Sequence, residues 1–177
     1  MRQKWFLLFV GIVLPVWFLG QSQCSVDLPK PPFDVTGSYS GTWRGQSEDN
    51  QAQEVAACPL QITLTQDVSA GYPADHGVQG TVVIDYSCFQ WPEWFPPVPP
   101  STVNVSGLLG DNGHLVLLSG GCGTGFCIVL SLDGPAVDSD SDGHADSYSG
   151  TWHLAFLLAG VQPFGFSGTF STSLAAN

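Results

Sequence analysis

Ser38-Tyr39-Ser40-Gly41-Thr42-Trp43 and Ser147-Tyr148-Ser149-Gly150-Thr151-Trp152 are the same six residues written twice. In each copy the tyrosine, glycine and tryptophan fall on one side of an extended chain, and the serines and threonine on the other. That period of two is the signature of a half-buried strand. The same alternation recurs outward from both copies. Cys58, Leu60, Ile62 and Leu64 oppose Gln61, Thr63 and Thr65, and Val78, Gly80, Val82, Ile84, Tyr86 and Cys88 oppose Gln79, Thr81, Val83, Asp85 and Ser87. Val103, Val105, Gly107 and Leu109 make a fourth segment. Leu115 to Leu118, apolar on both sides, makes a fifth with no set facing, and Ile128, Leu130 and Leu132 make a sixth against Ser131 and Asp133. The second hexapeptide continues through Leu154 and Phe156 against His153. The last segment sets Phe164, Phe166, Gly168, Phe170 and Leu174 against Gly165, Ser167, Thr169, Ser171 and Ser173. Helical periodicity is nowhere sustained, so the class is all-β.

Gly41, Gly80, Gly107, Gly150 and Gly168 each sit mid-strand on the apolar side, each preceded by a serine or glutamine. Interior strand glycines mark bends or close backbone approach, which a sheet needs to curl on itself. The expectation is a single eight-stranded antiparallel up-and-down barrel, a topology that leaves no edge. A two-sheet β-sandwich is the alternative. Alternation alone leaves open which side faces in, and an outer-membrane barrel would turn the apolar side to lipid. The glycines, Cys58 and Cys88 on that side, and strands mostly shorter than the roughly 9–11 residues of a span, argue against it.

The chain divides into a signal peptide (1–22), a proline-rich tether (23–34) and a barrel domain (35–177). Arg2 and Lys4 precede an apolar run from Trp5 to Leu19, the charged and hydrophobic regions of a secretory signal. Gly20 and Ser22 place a cleavage before Gln23, or Cys24 becomes the lipid-modified first residue of a lipoprotein. Pro29, Pro31 and Pro32 read as an extended tether. Without the signal, Lys30 and Arg44 stand against fifteen acidic residues, a balance of −13. Nucleic acid is excluded as a partner and anionic lipid headgroups are disfavoured. The membrane is reached only through the signal or a lipid anchor, and the protein is expected to be exported, periplasmic or at the cell surface.

Asp138-Ser139-Asp140-Ser141-Asp142-Gly143-His144-Ala145-Asp146 leads directly into the second hexapeptide. Calcium takes six to eight hard oxygen ligands, and Asp138, Asp140 and Asp142 hold positions 1, 3 and 5 of an EF-hand-like loop. Gly143 sits at the sharp turn, His144 offers its carbonyl at 7, and Asp146 falls at 9. The expected metal set is therefore Asp138, Asp140, Asp142, His144 and Asp146, with calcium as the cofactor. The pattern resembles the calcium loops of thrombospondin type 3 repeats over these nine residues. It departs from an EF-hand at position 12, which is Ser149, and this implies a weak extracellular-type site.

A second resemblance concerns the barrel. Gly41-Thr42-Trp43 in the first strand, followed by a meander of eight strands, resembles the calycin pattern of lipocalins and avidins, in which G-x-W opens the barrel and plugs one end. The resemblance implies an enclosed Trp43 and, for a lipocalin-like carrier, a small apolar ligand. It departs from lipocalins because no basic residue follows Arg44, which lies on the face opposite Trp43.

Five cysteines leave one over after pairing. Cys58 and Cys88 are equidistant from residue 73 and both fall on the apolar face, so a cross-strand disulfide is expected. Cys122 and Cys127 bracket a turn and would clip it. Cys24 is then the odd residue, as a lipid anchor would be. Phe89, Trp91, Trp94 and Phe95 lie on a proline-rich loop (89–100) that either stacks on a glycan or partner protein or folds back as a lid. His76, His114, His144 and His153 form no metal or nucleophile constellation and no serine sits in a nucleophile elbow. Catalysis is not expected. The chain reads as an exported binding or interaction module, with a carrier of a small apolar ligand as the alternative.

Overall fold

The computed structural model describes residues 29–48, 54–89, 91, 99–123, 126–158 and 164–175. The signal segment, Cys24, Trp94 and Phe95 lie outside them. Eight strands follow in order: β1 (Gly37–Ser47), β2 (Glu54–Gln66), β3 (Gly77–Ile84), β4 (Ser101–Leu109), β5 (His114–Gly123), β6 (Phe126–Val137), β7 (Ser147–Leu158) and β8 (Phe164–Leu174). Each pairs antiparallel with the next, and β8 closes onto β1 from Tyr39↔Leu174 to Ser47↔Phe166. The result is a closed up-and-down barrel rather than a sandwich.

The apolar faces point inward. Trp43, Cys58, Leu60, Ile62, Leu64, Val82, Ile84, Leu117, Leu132, Trp152 and Phe166 are all buried in one core. The outer wall carries the serines, threonines and glutamines of the alternate positions with Val83, Leu108, Leu118, Val129 and Leu157 exposed among them, and the strands, from 8 residues in β3 to 13 in β2, are mostly longer than the alternation suggested. Closure depends on the predicted glycines. A Cβ on Gly41, Gly80, Gly107, Gly150 or Gly168 would overlap a carbonyl oxygen of the neighbouring strand, of Ser171, Thr63, Val116, Asp133 and Arg44 respectively.

The two hexapeptides turn out to flank one strand. Phe170 of β8 is opposite Trp43 on one side and Gly150 on the other, and Gly168 lies between Gly45 and Trp152. A Cβ on Gly45 would come within 2.6 Å of the Trp152 ring, so this glycine clears space for the indole. Trp152 Nε1 then donates to the Arg44 carbonyl at 2.9 Å, and the rings of Trp43 and Trp152 sit 4.8 Å apart.

Three segments differ from the alternation. β3 ends at Ile84, because the Asp85 carboxylate accepts the Ser87 N–H (2.9 Å) and draws Tyr86–Cys88 into a 3-10 turn. β5 is longer than Leu115–Leu118 and has a definite facing, with Leu115 and Leu117 buried and Leu118 54% exposed. At the end of β8 the inward position belongs to Thr172, whose hydroxyl donates to the Tyr148 carbonyl at 2.7 Å, while Leu174 is exposed.

Candidate functional site

The acidic loop joins β6 to β7 and is built by its own carboxylates. Asp138 accepts the N–H groups of Asp142 (3.2 Å) and Gly143 (2.9 Å), and Asp140 also accepts from Asp142 (3.1 Å). Asp142 accepts the His144 N–H at 2.8 Å. Such side-chain turns suit aspartate, and the left-handed backbone they require falls at Gly143 (φ 90°) and Ser141 (φ 63°). Winding the chain this way gathers Asp138, Asp140 and Asp146, one carboxylate oxygen of each lying within 4.8 Å of the others. One ion with bonds of roughly 2.3–2.6 Å can bridge that span. The donors are hard oxygens, which fits calcium. Asp142, named with this loop, stands outside the carboxylate cluster and accepts from the loop backbone; the His144 ring, as distinct from the carbonyl named for the metal, is 4.0 Å from Asp34 Oδ2.

Asp146 is held ionised. The Ser139 hydroxyl and the Ser139 N–H (2.7 Å) both donate to Asp146 Oδ2, and these bonds hold its carboxyl below the usual carboxylate range.

The loop is fastened to the start of the domain, a link the sequence did not suggest. Asp34 N–H donates to the Gly143 carbonyl (2.9 Å), and Ala145 N–H donates to the Asp34 carbonyl (2.8 Å). The Tyr39 hydroxyl faces the carbonyls of Val35 (3.0 Å) and Ala145 (3.1 Å), joining β1 to the loop. Burial first, then the charges of Asp34 and Asp146, push the Tyr39 phenol up to about 12, so it stays a neutral donor.

A second polar group at the same end was also missed. His76 is buried and hydrogen-bonded on both ring nitrogens, to Asp75 at 2.8 Å and to Asp111 at 3.0 Å. Asp75 is itself buried, a carboxylate that no alternation in the sequence pointed to. The bond to Asp75 raises the His76 imidazole above its ordinary value, Asp111 adding to it and burial opposing it. No nucleophilic side chain is hydrogen-bonded to this histidine among the described residues, and the geometry is that of a clasp between the β2–β3 and β4–β5 loops.

The opposite end is closed by aromatics. Phe89 is buried against Trp43 (5.5 Å), Phe166 (5.0 Å) and Trp152 (6.0 Å). Trp91 is half-buried, donates Nε1 to the Tyr86 carbonyl (3.0 Å), and meets the rings of Phe156 (5.1 Å) and Phe166 (5.4 Å). These two residues of the proline-rich loop therefore fill the barrel mouth instead of facing outward.

Cys122 and Cys127 form the expected disulfide, opposite one another across β5 and β6. Cys58 and Cys88 do not; both are free thiols in mutual contact. Leu60 pairs with Ile84, so the position across from Cys58 is that of Tyr86, and Cys88 reaches it only through the 3-10 turn. Burial first, then the Cys88 thiol, push the Cys58 thiol up to about 12, which makes it a poor nucleophile. The buried Trp43 Nε1 lacks an oxygen or nitrogen acceptor and lies toward the Cys58 sulfur.

Compared with protein-family models, curated proteins and solved structures, the chain finds no match. Its own geometry defines a closed eight-stranded antiparallel β-barrel, consistent with the calycin-like pattern that Gly41-Thr42-Trp43 resembles.

Proposed function

We propose that this chain is an exported calcium-binding β-barrel module that acts by binding or interaction rather than by catalysis, held at the cell envelope through its N-terminal segment. The observation that carries the calcium reading is the convergence of Asp138, Asp140 and Asp146 on one point within a D-x-D-x-D-G loop. The interior supports an interaction module over a carrier of a small apolar ligand. Trp43, Phe89, Trp152, Phe156 and Phe166 occupy it in mutual ring contact, and a small barrel filled by its own side chains leaves little room for cargo. Export and anchoring rest on the basic-then-apolar segment 1–22 and on Cys24 just after it. An unmodified mature N-terminus at Gln23, read by mass spectrometry, would remove the lipid anchor.

Calcium titration tests the main claim. Extracellular modules bind calcium with Kd of about 0.1–1 mM, so 10 mM calcium should stabilise the fold by roughly 1.4–2.7 kcal/mol through mass action. That corresponds to a rise in Tm of about 3–10 °C in a domain of this size. Asp140→Asn should remove most of the rise. A flat melting curve and a flat calorimetric trace at 10 mM calcium would end the reading.

A further inference from the structure

The barrel wall is not uniformly closed. β4 and β5 pair only from Ser106↔Leu118 to Leu109↔Leu115. Among the described residues, from Val105 back to Ser101 β4 keeps its β3 partner but has none on the β5 side, and from Ser119 to Gly123 β5 keeps only β6. Two main-chain edges thus face one another across a cleft of about 370 Å³ lined by Val103, Asn104, Ser119, Gly120, Gly121 and Ile128, with Cys122 at its margin. Unpaired strand edges are templates for another strand.

The glycines of the cleft point the same way. Gly41, Gly80, Gly107, Gly150 and Gly168 are required by neighbouring backbone, whereas a Cβ on Gly120 or Gly121 would meet nothing within 4 Å. Nothing inside the barrel explains a bare backbone there, and glycine in a strand also serves where a second chain comes close. Just outside the cleft, Leu118 and Val129 are exposed and offer apolar contact to alternate side chains of an added strand.

Charge selects the occupant. A second copy of the chain would bring another −11 against the first, and such self-repulsion works against a homodimer. We propose that the β4–β5 cleft receives an extended, uncharged or basic segment of another protein as an added strand. The proposal rests on the interaction-module reading and names its surface, but it uses none of the acidic-loop residues, which lie at the other end of the strands.

Amide hydrogen exchange by NMR on the mature chain tests it, with the capped peptide Lys-Thr-Val-Thr-Val-Thr-Lys as probe. At about 1 mM peptide, a Kd of about 0.1 mM leaves roughly a tenth of the chains free, which is the slowing the assay reads. The amides of Ser101–Val105 and Ser119–Gly123 that face the cleft should exchange at least about tenfold more slowly. A Glu-ended peptide should protect less at low salt, and a peptide N-methylated at alternate residues should not protect at all. Gly121→Val should keep the Tm and lose the protection. The inference is overturned if no slowing occurs, if the N-methylated peptide protects equally, if protection survives Gly121→Val, or if these amides are already protected in the free protein. Calcium is absent from this assay, so its failure is separate from failure of the calcium reading.

Discussion

Replacing Gly107 by alanine and, separately, Gly120 by alanine should move stability in opposite directions, although both glycines sit in the β4–β5 wall. A Cβ at Gly107 would overlap the Val116 carbonyl oxygen and come within 2.8 Å of the Val116 carbonyl carbon and 3.0 Å of the Leu117 Cα. All of these are backbone atoms that cannot rotate aside. Relief requires β4 to move off β5, where Gly107↔Leu117 is one of only four pairs holding the two strands together. Overpacking of this kind costs about 1–3 kcal/mol, and each ladder hydrogen bond lost adds about 0.5–1.5 kcal/mol. We expect Gly107→Ala to destabilise by roughly 2–4 kcal/mol, or a fall in Tm of about 5–15 °C at this size. At Gly120 the new methyl group meets open space. There the alanine only restricts the unfolded chain, which stabilises by about 0.4–1 kcal/mol. Urea unfolding of the two variants beside the parent, with equal slopes required, measures the difference. If the two substitutions shift the midpoint by the same amount, closure by backbone contact at Gly107 is wrong.

The His76 clasp should give the barrel a pH dependence of definite sign. Because Asp75 and Asp111 raise the folded-state imidazole above its ordinary 6.5, the stabilisation is complete below that value and fades as pH rises through the raised one. His76→Gln should therefore cost about 1–2 kcal/mol in acid, a charged hydrogen bond discounted for the exposed Asp111, and less in base. A gap between variant and parent that stays constant from pH 5 to 9 would contradict the clasp. Trp91→Ala should lower stability by about 2–3 kcal/mol, less than a fully buried tryptophan because the ring is half-exposed. If chemical denaturation shows no loss, the proline-rich loop is a partner surface and not a lid.

Strand identity and closure were legible because they are written locally. Alternation at Cys58 to Leu64 or Tyr148 to Phe156 needs only a count of two, and the glycines on the apolar side at 41, 80, 107, 150 and 168 announced the close approach of a neighbouring strand. What escaped was decided between segments. The alternation of β3 runs on in the sequence through Tyr86 and Cys88, but a single hydrogen bond from Ser87 to Asp85 turns the chain out of the sheet. The Cys58–Cys88 pairing was drawn from a loop midpoint, and a register centred one residue earlier puts Tyr86 across from Cys58 instead. Of the four carboxylates named for the metal, Asp138, Asp140 and Asp146 come together, while Asp142 is bonded to the loop backbone. Asp34 and the Asp75–His76–Asp111 group could not be seen, since loops distant in sequence meet only once the barrel has closed.

That closure also explains why the acidic loop sits where it does. Asp146 accepts the Leu174 N–H through its carbonyl (2.7 Å), and Ala175 N–H reaches the Ser38 carbonyl (2.8 Å), so the β8–β1 seam, the start of β7 and the tether all meet beside the carboxylates. Closing the seam joins strands from the two ends of the domain and is the contact with the largest loop-closure entropy in the fold. Carboxylates massed at that junction repel one another, and a divalent ion would turn the repulsion into a cross-link between the last strands and the first. Under the calcium reading, the ion would stabilise the seam. The β4–β5 opening lies on other strands, toward the aromatic plug, so a strand added there would leave the acidic loop's hydrogen bonds intact.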